Sequence, residues 1–217
     1  MELSNIKHKL NKIPLWKGNI DIEPLEGGLT NKNYLIKNKE NKYVARFGED
    51  ISYHHVMRFH EIAANKAAHE VGIAPEVIYH DKGLQILEYI ESETLTSTEV
   101  KNESTLKKII SLLKIVHKKI PLYLIGPSMM FWVFHIIRDY TWTLKENNSS
   151  YISILDKLIK DSVILEKATS PHYIVFCHND LLSSNILNDG KKLWLIDWEY
   201  AGFNSPLFDL GGLASNS

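Results

Sequence analysis

The sequence predicts an α+β chain in two parts, a small strand-rich part with one helix and then a mostly helical part. Three observations predict it. Short β-branched and aromatic runs bounded by turn residues crowd the first ninety positions. Apolar residues three or four apart dominate the later sequence. The polar stretch Glu91–Thr98, ESETLTST, separates the two patterns.

Taken in order, Ile22–Leu25 and Tyr34–Lys37 are strand candidates flanking the turn Glu26-Gly27-Gly28-Leu29-Thr30-Asn31, and Tyr43–Phe47, YVARF, is a third. From Ser52 to Val71 the positions Val56, Phe59, Ile62, Ala63, Ala67 and Val71 mark a helix with one buried face. Gly72 ends it and Pro75 follows. Val77–Tyr79 and Leu84–Ile90 read as two more strands about the turn Asp81-Lys82-Gly83. Ser104–Lys119 places Leu106, Ile109, Ile110, Leu113 and Val116 on one helical face, and Pro121 stops it. Met129–Lys145 and Ile152–Lys167 are further helix candidates; Ile174–Cys177 and Leu193–Ile196 are short buried strands.

The 217 residues, 44% apolar and 24% charged, suffice for one large domain or two small ones and argue against disorder. A net charge of −1 with scattered lysines argues against nucleic-acid binding. The lone Cys177 excludes an internal disulfide and fits a reducing cytoplasm. The N-terminal MELSNIKHKLNKIP lacks an apolar signal core, and the longest apolar stretch, Leu122–Ile137, is too short and too interrupted to span a bilayer; it reads as a loop entering a buried helix. The sequence gives no oligomeric state.

The most informative run is Phe176–Asp209, FCHNDLLSSNILNDGKKLWLIDWEYAGFNSPLFD. Asn185 follows Asp180 by five residues, and Asp197 follows an apolar strand. Phosphoryl transfer needs a carboxylate at the attacking hydroxyl and further oxygen ligands for Mg²⁺ on the nucleotide phosphates. The protein-kinase catalytic loop has this Asp-to-Asn spacing and a later metal-binding Asp, although Trp198-Glu199 here replaces Phe-Gly. No GxxxxGK[ST] is present, so a P-loop enzyme is not supported.

HNDLLSSNIL followed by LWLIDWEYAGFNSPLFDL resembles the choline/ethanolamine kinase family, including LicA-like bacterial choline kinases. That family shares the protein-kinase-like fold with aminoglycoside phosphotransferases. The resemblance implies an N-terminal nucleotide-binding lobe over residues 1–90, with an antiparallel sheet and one helix. It implies a catalytic lobe over 91–217, incomplete relative to the family, whose members usually continue past the helix beginning at Asp209. By position, Asp180 corresponds to the catalytic base, Asn185 and Asp197 to the Mg²⁺ ligands, and Asp209 to a structural brace of the catalytic loop. Glu199 corresponds to an acid that helps hold metal or a cationic substrate.

The turn at Gly27, Gly28 and Asn31 resembles the family's phosphate-covering turn. Arg46 stands where the family places its phosphate-binding cation, and Glu61, fourteen residues before Pro75, where its acidic helix partner lies. The connector Leu87–Ile90, with Glu88 and Ile90, corresponds to the adenine site. The implied acceptor is a hydroxyl on a small cationic molecule, choline or ethanolamine. Trp198, Tyr200 and Phe203 offer aromatic faces for such a cation. ATP and Mg²⁺ are the implied cofactors. The rivals are thiamine kinase, which the IDWEYAG segment also resembles, an aminoglycoside-type phosphotransferase, and a truncated nucleotide-binding relic without catalysis. Outside these motifs, His54, His55 and His60 read as surface histidines, and Trp132, Tyr140 and Trp142 as core.

Overall fold

The computed structural model describes residues 3–25, 31–169 and 173–216. Gly27 and Gly28 lie outside them. The described chain forms two compact units, residues 1–50 with 75–92, and residues 51–74 with 93–217.

The first unit is a five-stranded antiparallel sheet. Its strands are β1 (Asp21–Leu25), β2 (Lys32–Asn38), β3 (Asn41–Phe47), β4 (Val77–Asp81) and β5 (Leu84–Glu88), in the order β1-β2-β3-β5-β4. Pro24 sits on the edge strand β1, where a missing N–H is tolerated. Period-two alternation buries Tyr34 and Ile36 of β2 on one face. An unanticipated helix, α1 (Leu3–Asn11), adds Ile6 and Leu10, which join Ile13, Ala45, Phe47, Leu84 and Ile86 in this core.

The second unit begins with a departure from the expected helix over 52–71. Ser52–His54 is a single 3₁₀ turn, His55 takes a left-handed φ of 59°, and Ile51 and Val56 exchange backbone hydrogen bonds of 2.9 and 3.1 Å. Helix α2 starts only at Arg58 and runs to Glu70 (Arg58–Glu70). Val56 is fully buried through that bridge and not through a helical face, and Phe59 is 49% exposed. Gly72, at φ 78°, closes α2 with Gly72 N–H donating to His69 O and Ile73 N–H to Ala68 O, a turn that favours glycine.

Two short strands precede and follow the first helices of this unit's helical part: β6 (Glu93–Thr94), α3 (Ser97–Val100), α4 (Glu103–Lys118) and β7 (Met129–Met130). The Met129 start expected for the next helix is thus strand, and α5 runs Val133–Glu146, followed by α6 (Ile152–Ala168). The chain continues through β8 (Val175–Cys177), β9 (Ile186–Asn188), β10 (Leu193–Leu195), β11 (Gly202–Asn204) and α7 (Pro206–Ser215). Two three-stranded sheets result, β10-β9-β6 and β7-β11-β8. Gly202 is obligatory in the second, because a Cβ there would lie 2.5 Å from the Met129 carbonyl oxygen. Ile109, Leu113 and Val116 of α4 pack with Phe176, Leu181, Ile186 and Leu195 in one core. No helix among the described residues is long and apolar enough to cross a membrane.

Candidate active site

Strand β8 ends at Cys177 and releases the loop that carries Asp180. The loop is held by Asp209, 1% exposed, in the first turn of α7. Asp209 Oδ2 accepts from the His178 N–H at 3.1 Å, and Oδ1 accepts from the Asn179 N–H at 2.8 Å. His117 of α4 donates from Nε2 to Oδ2 at 2.9 Å. One carboxylate therefore satisfies two consecutive buried amides, the geometry of a brace.

Asn179 turns the loop. Its φ of 65° is left-handed, a conformation Asn tolerates better than most residues. Its side-chain Nδ2 donates to Tyr200 O at 2.9 Å, and its Oδ1 accepts from Asn204 Nδ2 at 2.9 Å. The Asp180 loop is thereby fastened to the segment that follows Asp197. His178 adds a second fastening. Its Nε2–H donates to Ile196 O at 3.0 Å, while its Nδ1 accepts from the Asp180 N–H at 3.3 Å. Those two partners assign the neutral Nε2–H tautomer. Neither Asn179 nor Asn204 was a sequence candidate, since an Asn in a loop gives no periodic signal.

The β9–β10 hairpin carries Asn185 and Asp197 at its open end. Ile186 pairs with Leu195, and Ile196 N–H donates to Asn185 O at 3.1 Å, so Asn185 and Ile196 face each other at the open end. Asp197 comes next, at φ 67°. The turn end of the hairpin is held by Asp189, whose carboxylate accepts from the N–H groups of Lys191 and Lys192 and from Trp194 Nε1; these bonds hold the Asp189 pKa down at about 2. Asn185 Nδ2 donates both to Asp180 O at 2.9 Å and to Asp180 Oδ2 at 3.1 Å. With Nδ2 so engaged, the side-chain oxygen is the acceptor that Asn185 has left to offer.

The structure thus brings Asp180 and Asn185 into contact and places Asp197 close enough to act on Asp180 electrostatically. Burial, with the negative charge of Asp197 adding to it, raises the Asp180 pKa; the Asn185 hydrogen bond opposes the rise.

The expected acceptor surface is corrected in part. Trp198 is 1% exposed, its Nε1–H donates to Leu195 O at 3.2 Å, and its ring packs 4.8 Å from that of His178. It offers no face to a substrate and instead fills the space under the loop. Phe203 packs edge-on against the buried Phe176 ring at 5.6 Å. Tyr200 is half-buried, with its ring 6.0 Å from that of Phe131. Burial first, then the charges of Glu199, Tyr140, Asp180 and Asp197, pushes its hydroxyl up to about 12.

Glu199, 5% exposed, accepts at Oε2 from Arg58 Nη1 at 3.0 Å. The same Nη1 donates to Glu61 Oε2 at 2.7 Å. Arg58 was missed because a charged residue inside the expected 52–71 helix reads as solvated. In the first unit, Asn31 and Arg46 are buried, at 7% and 8% exposed. Glu88 closes β5, where its N–H donates to Glu76 O at 3.0 Å, and Ile90 O accepts from Ser92 Oγ at 3.1 Å.

The histidines expected at the surface are half-buried. His55 Nε2 lies 2.8 Å from Asp139 Oδ2, and His54 Nδ1 lies 3.4 Å from the Tyr140 hydroxyl. Trp142, expected in the core, is 63% exposed, whereas Trp132 donates from Nε1 to Glu166 at 2.7 Å. His117, Cys177 and Asp209 cluster as a metal site does. The Cys177 thiol, however, donates to the carbonyls of Asn204 and Ser205, and burial together with the Asp209 charge raises its pKa far up, so it stays a thiol.

The sequence model of the choline/ethanolamine kinase family matches residues 22–213. Protein LicA of Haemophilus influenzae is 30% identical over 190 residues, covering 85% of this chain and 55% of that protein. A probable ethanolamine kinase A of Dictyostelium discoideum is 30% identical over 214 residues, covering 88% of this chain and 59% of its own length. The chain therefore spans somewhat more than half the length of these relatives. The crystal structure of the choline kinase LicA from Streptococcus pneumoniae superposes with a TM-score of 0.76 at 28% identity, over 97% of this chain and 73% of that one. This likeness shows the α+β, protein-kinase-like fold. From motif, fold and family match together, the chain belongs to the choline/ethanolamine kinase family.

Proposed function

We propose that this chain transfers the γ-phosphoryl group of ATP to the hydroxyl of a small amino alcohol, choline or ethanolamine. The observation that carries the reading is the joining of Asp180 to Asn185 at the open end of the β9–β10 hairpin, with the Asp197 charge acting on the raised Asp180 carboxyl. Family membership supports the class of acceptor over thiamine or aminoglycosides.

The donor set fits Mg²⁺: hard oxygens of Asp197 and Asn185, with a nearby carboxylate whose charge a dication would offset. When bound, Mg²⁺ would neutralise charge developing on the transferred phosphoryl group. Asp180 accepts or orients the acceptor's hydroxyl proton. Asp209, Asn179 and His178 keep that carboxylate in place. Tyr200 offers the ring face for a cationic head group. On the family resemblance, Arg46 and the 26–31 turn are assigned to the phosphates and Glu88–Ile90 to the adenine. The part of Glu61 in nucleotide binding rests on the same resemblance. A cytoplasmic location belongs to the same reading.

ATP consumption in the presence of choline, ethanolamine, thiamine and aminoglycosides tests the reading. Turnover is expected with choline or ethanolamine and requires Mg²⁺. Turnover with thiamine alone would reject the acceptor. Calorimetric binding of Mg·ATP without transfer to any of them would identify a nucleotide-binding module.

A further inference from the structure

Arg58 is the first residue of α2 and is 8% exposed, yet it is a full charge. Its Nη1 donates to Glu61 Oε2 at 2.7 Å and to Glu199 Oε2 at 3.0 Å, and those carboxylates are 3% and 5% exposed. Burial disfavours the Arg58 charge, but the two carboxylates outweigh it and raise its pKa. The Glu61 link is local, three residues along one helix turn. The Glu199 link spans 141 residues of sequence and is a tertiary constraint. Glu199 lies in the tight turn closed by Ala201 N–H donating to Trp198 O at 3.0 Å, directly after the left-handed Asp197. A short turn transmits the position of Glu199 to Asp197, because few backbone torsions separate them.

We propose that Arg58 is a positioning residue: by holding Glu199, it fixes the Asp197 turn against α2 and thereby sets the metal-binding geometry. The inference rests on the reading of Asp197 as a metal ligand. It also changes the expected role of Glu199, whose Oε2 serves Arg58. Groups that orient a metal's ligands typically alter metal affinity or activity by about 10–100-fold when removed.

The test measures the Mg²⁺ half-saturation of ATP binding by calorimetry, with Mn²⁺ binding by electron paramagnetic resonance as a readout independent of turnover. Arg58→Met should raise the half-saturation by about tenfold or more. Arg58→Lys, which keeps the charge on a shorter stem, should restore part of the loss. Glu199→Gln can still accept from Arg58 and should remain folded, with a smaller shift in the same direction. If Arg58 acts through Glu199, the double variant is no worse than Arg58→Met.

Multiplied effects in the double variant would overturn the proposal. So would a half-saturation within about twofold of the parent in folded Arg58→Met or, should that variant not fold, a parent-like value in Glu199→Ala, while Asp197→Asn abolishes Mg²⁺-dependent binding. If Asp197→Asn itself keeps the parent's Mg²⁺ dependence, the metal reading falls first and takes this inference with it.

Discussion

The five-stranded sheet and the Asp180 loop are held by different forces. The sheet core is Ile36, Ala45, Ile86 and their neighbours, apolar groups whose contribution grows with area and depends little on direction. The loop is held by Asp209, Asn179, Asn204 and His178, whose hydrogen bonds are buried and directional. A trimmed methyl in the sheet leaves a small cavity. A missing partner in the loop leaves a buried polar atom with nowhere to turn. The site therefore gains precision in the same place where it loses tolerance.

That contrast can be broken or sharpened by substitution. The largest effect is expected from Asp180→Ala, a fall in kcat of about 10²–10⁴ in a coupled ATPase assay, with Mg·ATP binding largely spared. The isosteric Asp180→Asn should be equally inactive yet more heat-stable at neutral pH. The folded-state pKa of Asp180 is raised above the ordinary 3.8, so its stabilising contribution is complete below that value and is lost as pH rises through the raised one. Asparagine stays neutral throughout, and each kcal/mol regained would lift the unfolding midpoint by about 2–4 °C. A lower midpoint for Asp180→Asn would contradict the assigned direction.

Asp209→Ala should come next. It leaves the His178 and Asn179 amides unpaired at a cost of about 1–3 kcal/mol each, read by urea unfolding, and it should reduce turnover in whatever fraction folds. Asn179→Gly keeps the left-handed backbone but loses three side-chain bonds, to Tyr200, Gly202 and Asn204. Asn179→Ala loses the bonds and also strains the backbone, so it should be the worse of the two by about 1 kcal/mol. The smallest effect belongs to the sheet, where Ile86→Val should cost about 0.5–1.5 kcal/mol with kcat unchanged. A sheet variant that damaged kcat as much as Asn179→Ala would erase the distinction.

The same contrast explains what the sequence disclosed. Strands β1–β5, the Gly72 stop and the Asp–Asn–Asp spacing are written in local patterns, and all could be read. The buried face of α2 could not, because it carries Arg58, Glu61 and Asn65 alongside Ala64 and Ala68, and polar residues at buried positions imitate a solvated helix. The early part of the expected helix failed for a related reason: Val56 is apolar at helical spacing but is buried by a backbone bridge. Trp198 was misplaced because an aromatic residue beside the acids looks the same in sequence whether it faces a ligand or the core. Helix α1 has only Leu3, Ile6 and Leu10 to announce it, too short a period to stand out among lysines.

The buried Cys177 has a practical consequence. Its thiol is buried against the Asn204 and Ser205 carbonyls and beside the Asp209 carboxylate, so the native chain should be blind to maleimide and iodoacetamide near neutral pH. A single cysteine introduced at an exposed position such as Lys107, on α4, would then take a dye alone, with no native residue to remove first. The chain is thus already a clean background for distance measurements by fluorescence or spin label, and any reaction at Cys177 itself would report opening of the fold around the catalytic loop.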